Sequence, residues 1–140
     1  MPVQFFSADL PIPLRERNRL KVFLHALFRK EGRKIGKLNY IFCSDEYLLD
    51  INKTYLRHDY YTDILSFDLS DNAGDVLGEI YISVDRVREN ARQVNETVRR
   101  EIHRVIIHGA LHLCGYRDKT KAQQVLMRIK EEEYLKRYGL

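Results

Sequence analysis

The sequence lacks the features that would place a protein outside the cell or in a membrane. Only two cysteines occur, Cys43 and Cys114, so the disulfide framework of a small secreted domain is not expected. No apolar run reaches the ~18 residues of a membrane span. Residues 1–6 lack the basic start and long apolar stretch of a signal peptide. We therefore expect a cytoplasmic protein with reduced thiols and no membrane contact.

The composition is that of a soluble globular protein. A chain of 140 residues is long enough for one domain with a core and too short for two, so we expect residues 1–140 to form a single domain. Hydrophobic residues make up 44% and charged residues 31%, which excludes the disordered class. The formal net charge of +4 permits a nucleic-acid partner without requiring one.

Hydrophobic periodicity predicts an α+β fold, with one mixed sheet of about four strands packed by about five helices. The strands are predicted at Val3 to Phe6, Lys37 to Cys43, Ile64 to Leu69 and Leu77 to Ser83. The helices are predicted from near Leu14 to Gly32, from Ser44 through Tyr55, from about Asp85 to Val94, from near Thr97 to Cys114, and from Thr120 to near Tyr138. A turn is predicted at Asp71 to Gly74.

The most informative feature is a pair of histidines on the predicted fourth helix. His108 and His112 are four residues apart, so their side chains lie on one helix face and can point at one metal ion. Gly115 can take the left-handed conformation that ends a helix, and the chain can then return Asp118 as a third ligand. Three protein ligands with an open position for water are typical of catalytic zinc.

The rest of this helix supports the same interpretation. It is apolar almost all round, which predicts that it is buried. Buried imidazoles need polar partners, and a metal ion supplies one. Cys114 lies about 200° around the helix from His112, so we expect a small buried hydrophobe there rather than a fourth ligand.

The spacing H-x3-H-x2-G-x2-D differs at two positions from the zincin protease pattern H-E-x-x-H-x-x-G-x-x-H. Gly109 stands where those proteases have their glutamate base, so peptide hydrolysis is disfavoured. Asp118 stands where they have a third histidine, and a carboxylate oxygen is also an accepted zinc ligand. The acidic candidates to replace the missing base are Asp63 and Glu79.

Three blocks of the sequence resemble the YbeY family of bacterial rRNA-maturation factors. The segment from His108 to Asp118 resembles its signature H-G-x-L-H-L-x-G-Y-D-H. The segment from Asn52 to Phe67 resembles its block N-x-x-Y-R-x-K-D-x-P-T-[DN]-V-L-S-F, and Leu77 to Ile80 resembles its strand L-G-D-I. The resemblance implies a zincin-like fold and a zinc-dependent endoribonuclease. Such an enzyme acts on single-stranded RNA, in 16S rRNA 3′-end maturation and ribosome quality control, with no DNA substrate.

The resemblance also assigns site residues. The zinc ligands of the family correspond to His108 and His112, with one zinc ion per chain, and its third histidine corresponds to Asp118. Arg117 stands where the family has an aspartate, and it could instead pair with Asp118 and hold it away from the metal. Two histidines and one carboxylate also suit iron(II), so zinc is favoured by the resemblance and not by the ligand types alone.

The substrate-binding residues differ from the family pattern. The family arginine after the tyrosine corresponds to Leu56 and its lysine to His58, so Arg57 is predicted to supply the missing cation unless that phosphate contact is absent. A basic cluster could contact phosphates or could be a solvated helix end. It consists of Arg29, Lys30, Arg33, Lys34 and Lys37.

Other residues have two open interpretations. Arg100 and Arg104 could line an approach to the metal or face water, and Tyr60 and Tyr61 could stack on bases or pack. The sequence also leaves the nucleophile open between water and the RNA 2′-hydroxyl. The leading hypothesis is an endoribonuclease. Its rivals are another metal-dependent hydrolase and a metal-stabilised RNA-binding assembly factor without catalysis.

Overall fold

The computed structural model describes residues 2–71 and 74–140, and within them it contains one four-stranded sheet and five helices. The strands are β1 (Val3–Ser7), β2 (Ile35–Cys43), β3 (Ile64–Asp68) and β4 (Val76–Ser83). The helices are α1 (Arg17–Lys30), α2 (Asp45–Leu56), α3 (Val84–Gln93), α4 (Val98–Leu113) and α5 (Lys121–Tyr138). The predicted α+β class is confirmed. The predicted turn at Asp71 to Gly74 includes residues 72 and 73, which lie outside the described residues.

The sheet is mixed, with the strand order β1-β2-β4-β3. The β1–β2 and β2–β4 pairs are parallel, and β3 runs antiparallel to β4 at the edge. Parallel pairing needs a crossover, which α1 provides between β1 and β2. The inward-facing residues of the central strands β2 and β4 join the main core with residues of α1 and α4. A smaller cluster joins Leu48 of α2 to Cys43 of β2 and Leu65 of β3.

The first helix begins later than its sequence pattern predicts. We expected it to begin near Leu14, but it begins at Arg17, with Glu16 in the N-cap position. The reason is tertiary: Leu14 is buried in the main core, so it anchors the segment before the helix instead of taking part in its first turn. The end of the helix is as predicted, because Gly32 has a left-handed φ of 78°.

The other helix starts follow from their N-cap side chains. Ser44 and Thr97 each accept a hydrogen bond from a backbone N–H in the first turn of α2 and α4. Thr120 and Gln123 form the predicted capping box at the start of α5. In residues 2–71 and 74–140, none of the helices combines the length and apolar character needed to cross a membrane.

Helix α4 is the central element of the fold. Its residues are buried along nearly its whole length, as predicted from its apolar composition. It also lies unusually close to the sheet, because a Cβ atom added at Gly109 would stand 2.9 Å from Ile80 Cδ1 and 3.0 Å from Ile64 Cδ1. A Cβ added at Gly78 would stand 2.6 Å from Leu113 Cδ1. Two glycines, one on each element, therefore allow α4 and β4 to pack together.

We predict that Gly109→Ala destabilises the protein, although alanine is the better helix former. Alanine gains about 1 kcal/mol of helix propensity, but overpacking against Ile80 and Ile64 costs about 1–3 kcal/mol. Urea unfolding of the metal-free variant and wild type would measure the difference. A variant more stable than wild type would contradict the close contact at Gly109.

Candidate metal centre

The two histidines of α4 and one loop aspartate converge at the C-terminal end of the helix. His108 and His112 lie one turn apart, with ring centroids separated by 4.6 Å. The Nε2 atoms of both rings are 3.3 Å from the same oxygen, Oδ2 of Asp118. Each residue contributes a ligand atom within 4.8 Å of the other two, so the three side chains could hold one metal ion.

The loop after α4 returns Asp118 to the helix, as the glycine in the motif predicts. Gly115 has a φ of 105°, and the N–H of Tyr116 donates to the carbonyl oxygen of Leu111 at 3.0 Å. The carbonyl oxygen of Asp118 accepts a hydrogen bond from Gln124 on α5. Arg117 is exposed, and among the residues that the structure describes it forms no ion pair with Asp118. The Asp118 carboxylate thus faces the two histidines and not Arg117.

The donor set fits a tetrahedral divalent metal. The Nδ1–H group of His108 donates to Glu131 Oε2 at 2.6 Å, and that of His112 donates to the Tyr116 carbonyl oxygen at 3.0 Å. Each Nδ1–H group therefore leaves the Nε2 atom of its ring facing Asp118, where the neutral ring would offer a lone pair to a metal. Ligand atoms bound to tetrahedral zinc at about 2.0–2.1 Å lie roughly 3.3–3.4 Å apart, which is the spacing observed between each Nε2 and Asp118 Oδ2.

Cys114 is not part of this group, as predicted. It packs against the main core next to the end of α4. Burial raises the pKa of its thiol to about 12, so the thiol is protonated at neutral pH. Metal ligation requires the thiolate, and Cys114 therefore behaves as a small apolar residue.

A buried glutamate on α5 supports the site, although it was not among the site residues expected from the sequence. Glu131 is only 5% exposed, and its carboxylate accepts the hydrogen bond from Nδ1–H of His108. Burial lowers the pKa of His108, but the hydrogen bond and charge of Glu131, together with the charges of Asp118 and Asp63, raise it more, so the net pKa lies above the ordinary value. A signal was present in the sequence: Glu131 interrupts a helical stripe of residues that are otherwise apolar or aromatic, between Met127 and Leu135.

The two arginines that precede the histidines on α4 line the cleft but are engaged in ion pairs. Arg104 is 8% exposed and lies 2.6 Å from Glu132 and 3.2 Å from Glu101. Arg100 lies 2.7 Å from Glu132 and donates to the carbonyl oxygen of Leu140. The sequence left two interpretations open, that these arginines line an approach to the metal or that they face water. They do line the cleft, but acidic side chains neutralise them there.

The candidate metal group lies in an open cleft of about 1140 Å³. The end of α2, strand β3, the end of α3, α4 and α5 all contribute walls. Its charged lining is predominantly acidic. The acidic residues are Asp63, Asp68, Glu96, Glu101, Asp118, Glu131 and Glu132, and the basic residues are Arg100, Arg104 and Arg128.

The structure separates the two acidic candidates for a general base. Asp63 lines the cleft and accepts a weak hydrogen bond from Asn90, with a donor–acceptor distance of 3.4 Å. Burial raises the pKa of Asp63, and the nearby charge of His108 partly opposes that rise. Glu79 pairs with Asn39 and Phe67 in the sheet, and it does not line the cleft. Of these two candidates, Asp63 is therefore the one that lines the same cleft as the candidate metal group.

The predicted substrate-binding arginine lies next to the cleft. Arg57 ends α2 in a left-handed conformation with φ 57° and is exposed. Its neighbour Leu56 lines the cleft. The aromatic rings downstream are half exposed and already have partners: Tyr60 stacks on the His58 ring at 5.2 Å, and Arg86 lies over the Tyr61 ring at 5.2 Å.

The basic cluster after α1 has a partly structural role. Arg33 donates to the carbonyl oxygen of Leu113 at the end of α4, and Lys30 pairs with Glu133 at 3.4 Å. The remaining members of the cluster are exposed; they are Arg29, Lys34 and Lys37.

The chain matches known proteins over nearly its whole length. A family model described as Endoribonuclease YbeY matches residues 9–139. A Cytophaga hutchinsonii protein of that name is 50% identical over 131 residues, covering 94% of this chain and 92% of that protein. A Flavobacterium psychrophilum protein of the same name is 46% identical over 132 residues, covering 94% and 93%. A Thermotoga maritima protein of known solution structure is similar with a TM-score of 0.66 and 31% identity, covering 97% of this chain and 88% of that one.

We predict a graded loss of zinc affinity for substitutions of Asp118. Asp118→Ala removes a ligand and should weaken zinc binding by more than the roughly 10–100-fold that loss of a supporting hydrogen bond costs. Asp118→Asn keeps one oxygen donor and should weaken it less, and Asp118→His should retain a three-ligand site if the loop accepts the ring. Competition titration with a zinc chelator would rank the variants. Wild-type affinity in Asp118→Ala would refute direct ligation by Asp118.

Proposed function

The chain belongs to the YbeY family of endoribonucleases, and on this premise we propose that it is a metal-dependent enzyme that cleaves single-stranded RNA. The proposed substrate is ribosomal RNA, with a role in 16S rRNA 3′-end maturation and ribosome quality control, and the ribosome as partner. The observation that carries the proposal is the convergence of His108, His112 and Asp118 in one open cleft. An open cleft can admit a flexible single strand, whose phosphates are accessible.

We propose zinc as the metal, held by the two Nε2 atoms and the Asp118 carboxylate. Bound zinc polarises a phosphoryl oxygen and lowers the pKa of bound water towards ~7. Glu131 and the Tyr116 carbonyl keep the two imidazoles oriented for this role, because each accepts a hydrogen bond from an Nδ1–H group. The 3.3 Å spacings support zinc, although iron(II) accepts the same types of ligand.

A bound metal would counter the acidic charge that the cleft presents to an RNA substrate. Acidic side chains outnumber arginines in its lining, and Arg100 and Arg104 are already paired with Glu132. A phosphodiester would meet net repulsion from these carboxylates alone. The positive charge of a metal, together with the exposed Arg57 beside the cleft, would offset that repulsion.

We propose Asp63 as the group that accepts a proton from the attacking nucleophile. Asp63 lines the same cleft as His108. Its partial burial raises its pKa, so it takes up a proton more readily than a fully solvated carboxylate does. Position 109 cannot supply the base. It is a glycine, and a side chain added there would point at Ile80 and Ile64 in the sheet rather than into the cleft. The same direction argues against a protease mechanism, in which that position supplies the base.

A cleavage assay tests the proposed activity. Metal-loaded protein should cleave single-stranded RNA, and the activity should be lost with a chelator and in His112→Ala. His25→Ala, which changes a histidine on α1 outside the cleft, should retain it and serves as the matched control. Activity that persists in His112→Ala would indicate a contaminating nuclease. RNA binding without cleavage would favour an assembly factor, and cleavage of a peptide library would favour another hydrolase.

We predict that Asp63→Asn lowers the rate of RNA cleavage without removing the metal. Loss of a general base typically costs about 10²–10⁴-fold in rate, whereas the asparagine keeps the shape of the side chain. Glu79→Gln is the matched control, because it neutralises an acidic residue that does not line the cleft. Rates should be measured alongside zinc content. A near-wild-type rate in Asp63→Asn would exclude Asp63 as the base.

We propose that Arg57 contacts an RNA phosphate, and predict that Arg57→Gly weakens RNA binding. Glycine removes the cation and accepts the left-handed φ at this position, so the backbone is not strained. For one phosphate contact with single-stranded RNA, the log–log salt slope should fall in magnitude by about 0.7. Metal-free protein, which should not cleave, would be titrated with RNA at several salt concentrations. Arg88→Ala on α3 is the control, and an unchanged slope in Arg57→Gly would remove Arg57 from the site.

A further inference from the structure

Glu131 stands out among the charged residues of the cleft because it is nearly fully buried and touches a candidate ligand directly. Its Oε2 atom lies 2.6 Å from Nδ1 of His108, and the residue is 5% exposed. The other carboxylate oxygen, Oε1, lies 3.6 Å from Arg104 and 3.5 Å from Arg128. Every one of these contacts is with a nitrogen donor that can hold the negative charge of the carboxylate in place.

Burial of a carboxylate is costly, and removal of one partner of a buried pair is more costly still. Arg104, which is also buried, offsets part of this cost and is itself fixed by Glu132 at 2.6 Å. If Glu131 turned toward solvent, it would lose its contact with the buried Arg104 as well as its contact with His108. The carboxylate is a rigid acceptor aimed at one nitrogen of His108.

We propose that Glu131 is the positioning residue of the metal centre: it holds His108 in the Nδ1-protonated form and presents the Nε2 lone pair to the metal. A carboxylate that accepts the far N–H of a ligating imidazole fixes the ring orientation and strengthens the ring as a donor. The inference rests on the proposed metal site. Glu131 itself contributes no ligand atom, because His108, His112 and Asp118 form the group that converges.

The Nδ1–H groups of the two histidines have different kinds of acceptor, so the proposed role of Glu131 applies to His108 alone. His112 donates to the main-chain carbonyl of Tyr116, so no side-chain substitution can remove its acceptor. His108 depends on the side chain of Glu131. Substitution of Glu131 should therefore disturb one ligand and leave the other in place.

The test compares Glu131→Gln, Glu131→Ala and the control Glu132→Gln. Glutamine keeps an acceptor oxygen for Nδ1–H but loses the charge, whereas alanine loses both. Glu132→Gln removes a neighbouring carboxylate that also pairs with Arg104 but has no contact with His108. Zinc affinity is measured by chelator competition, and the tautomer of His108 is read from ¹⁵N NMR of the metal-free protein.

We expect Glu131→Ala to weaken zinc binding by about 100-fold and Glu131→Gln by about 10-fold, the range found for loss of such supporting contacts. In Glu131→Ala the His108 signal should lose its Nδ1-protonated pattern while that of His112 is kept. Glu132→Gln should change zinc affinity by less than the roughly 10-fold lower end of that range, because it removes no contact to a ligand. It should leave the His108 tautomer unchanged.

The proposal is overturned if Glu131→Gln and Glu132→Gln weaken zinc binding equally, because a general effect of the ion-pair network would then explain both. It is also overturned if the His108 tautomer is unchanged in a folded Glu131→Ala protein. If Glu131→Ala does not fold, by circular dichroism, the comparison of the two glutamine variants decides. Wild-type protein that binds no zinc would instead refute the metal site itself, so the two failures are distinguishable.

Discussion

The close packing of α4 against β4 is the constraint on which the rest of the structure depends. Gly109 and Gly78 remove the side chains that would separate the two elements, and Ile80 and Leu113 fill the contact. A helix held this near a sheet is enclosed on most of its circumference, so the buried polar side chains on it need partners within the protein. The open cleft beside α4 is where the two histidines face, and α5 closes the other side with acidic residues.

Opposite charges face each other across the interface between α4 and α5. Arg100 and Arg104 on α4 face Glu131 and Glu132 on α5, and the three ion pairs between them have N–O distances between 2.6 and 3.6 Å. The Arg104–Glu131 pair is buried, and such pairs add little net stability because desolvation offsets their attraction. Their effect is geometric: a displacement of α5 along α4 would separate these two buried charges, which restrains Glu131 relative to His108.

The local parts of the site were predictable from the sequence, and the parts assembled from distant segments were not. His108, His112, Gly115 and Asp118 follow from helix periodicity and one left-handed glycine, since all lie within a single turn-and-helix segment. Asp63 and Glu79 looked equivalent, because their distinction depends on how β3 and β4 sit in the sheet. Glu131 belongs to another helix, and only its place in an otherwise apolar stripe signalled burial. The start of α1 was predicted too early because the anchoring of Leu14 is a tertiary contact.

The short span of the three candidate ligands has a consequence for the energetics of folding. His108, His112 and Asp118 lie within eleven consecutive residues, so an unfolded chain can gather them around an ion with a small loss of loop entropy. A metal that also binds the denatured ensemble stabilises the native state only by the difference between its two affinities. That difference arises from what the unfolded segment lacks: the Glu131 carboxylate and the Tyr116 carbonyl, each held in register with an imidazole. A metal bound here would therefore be coupled to the fold through the orientation of the imidazoles rather than through the ligand set itself.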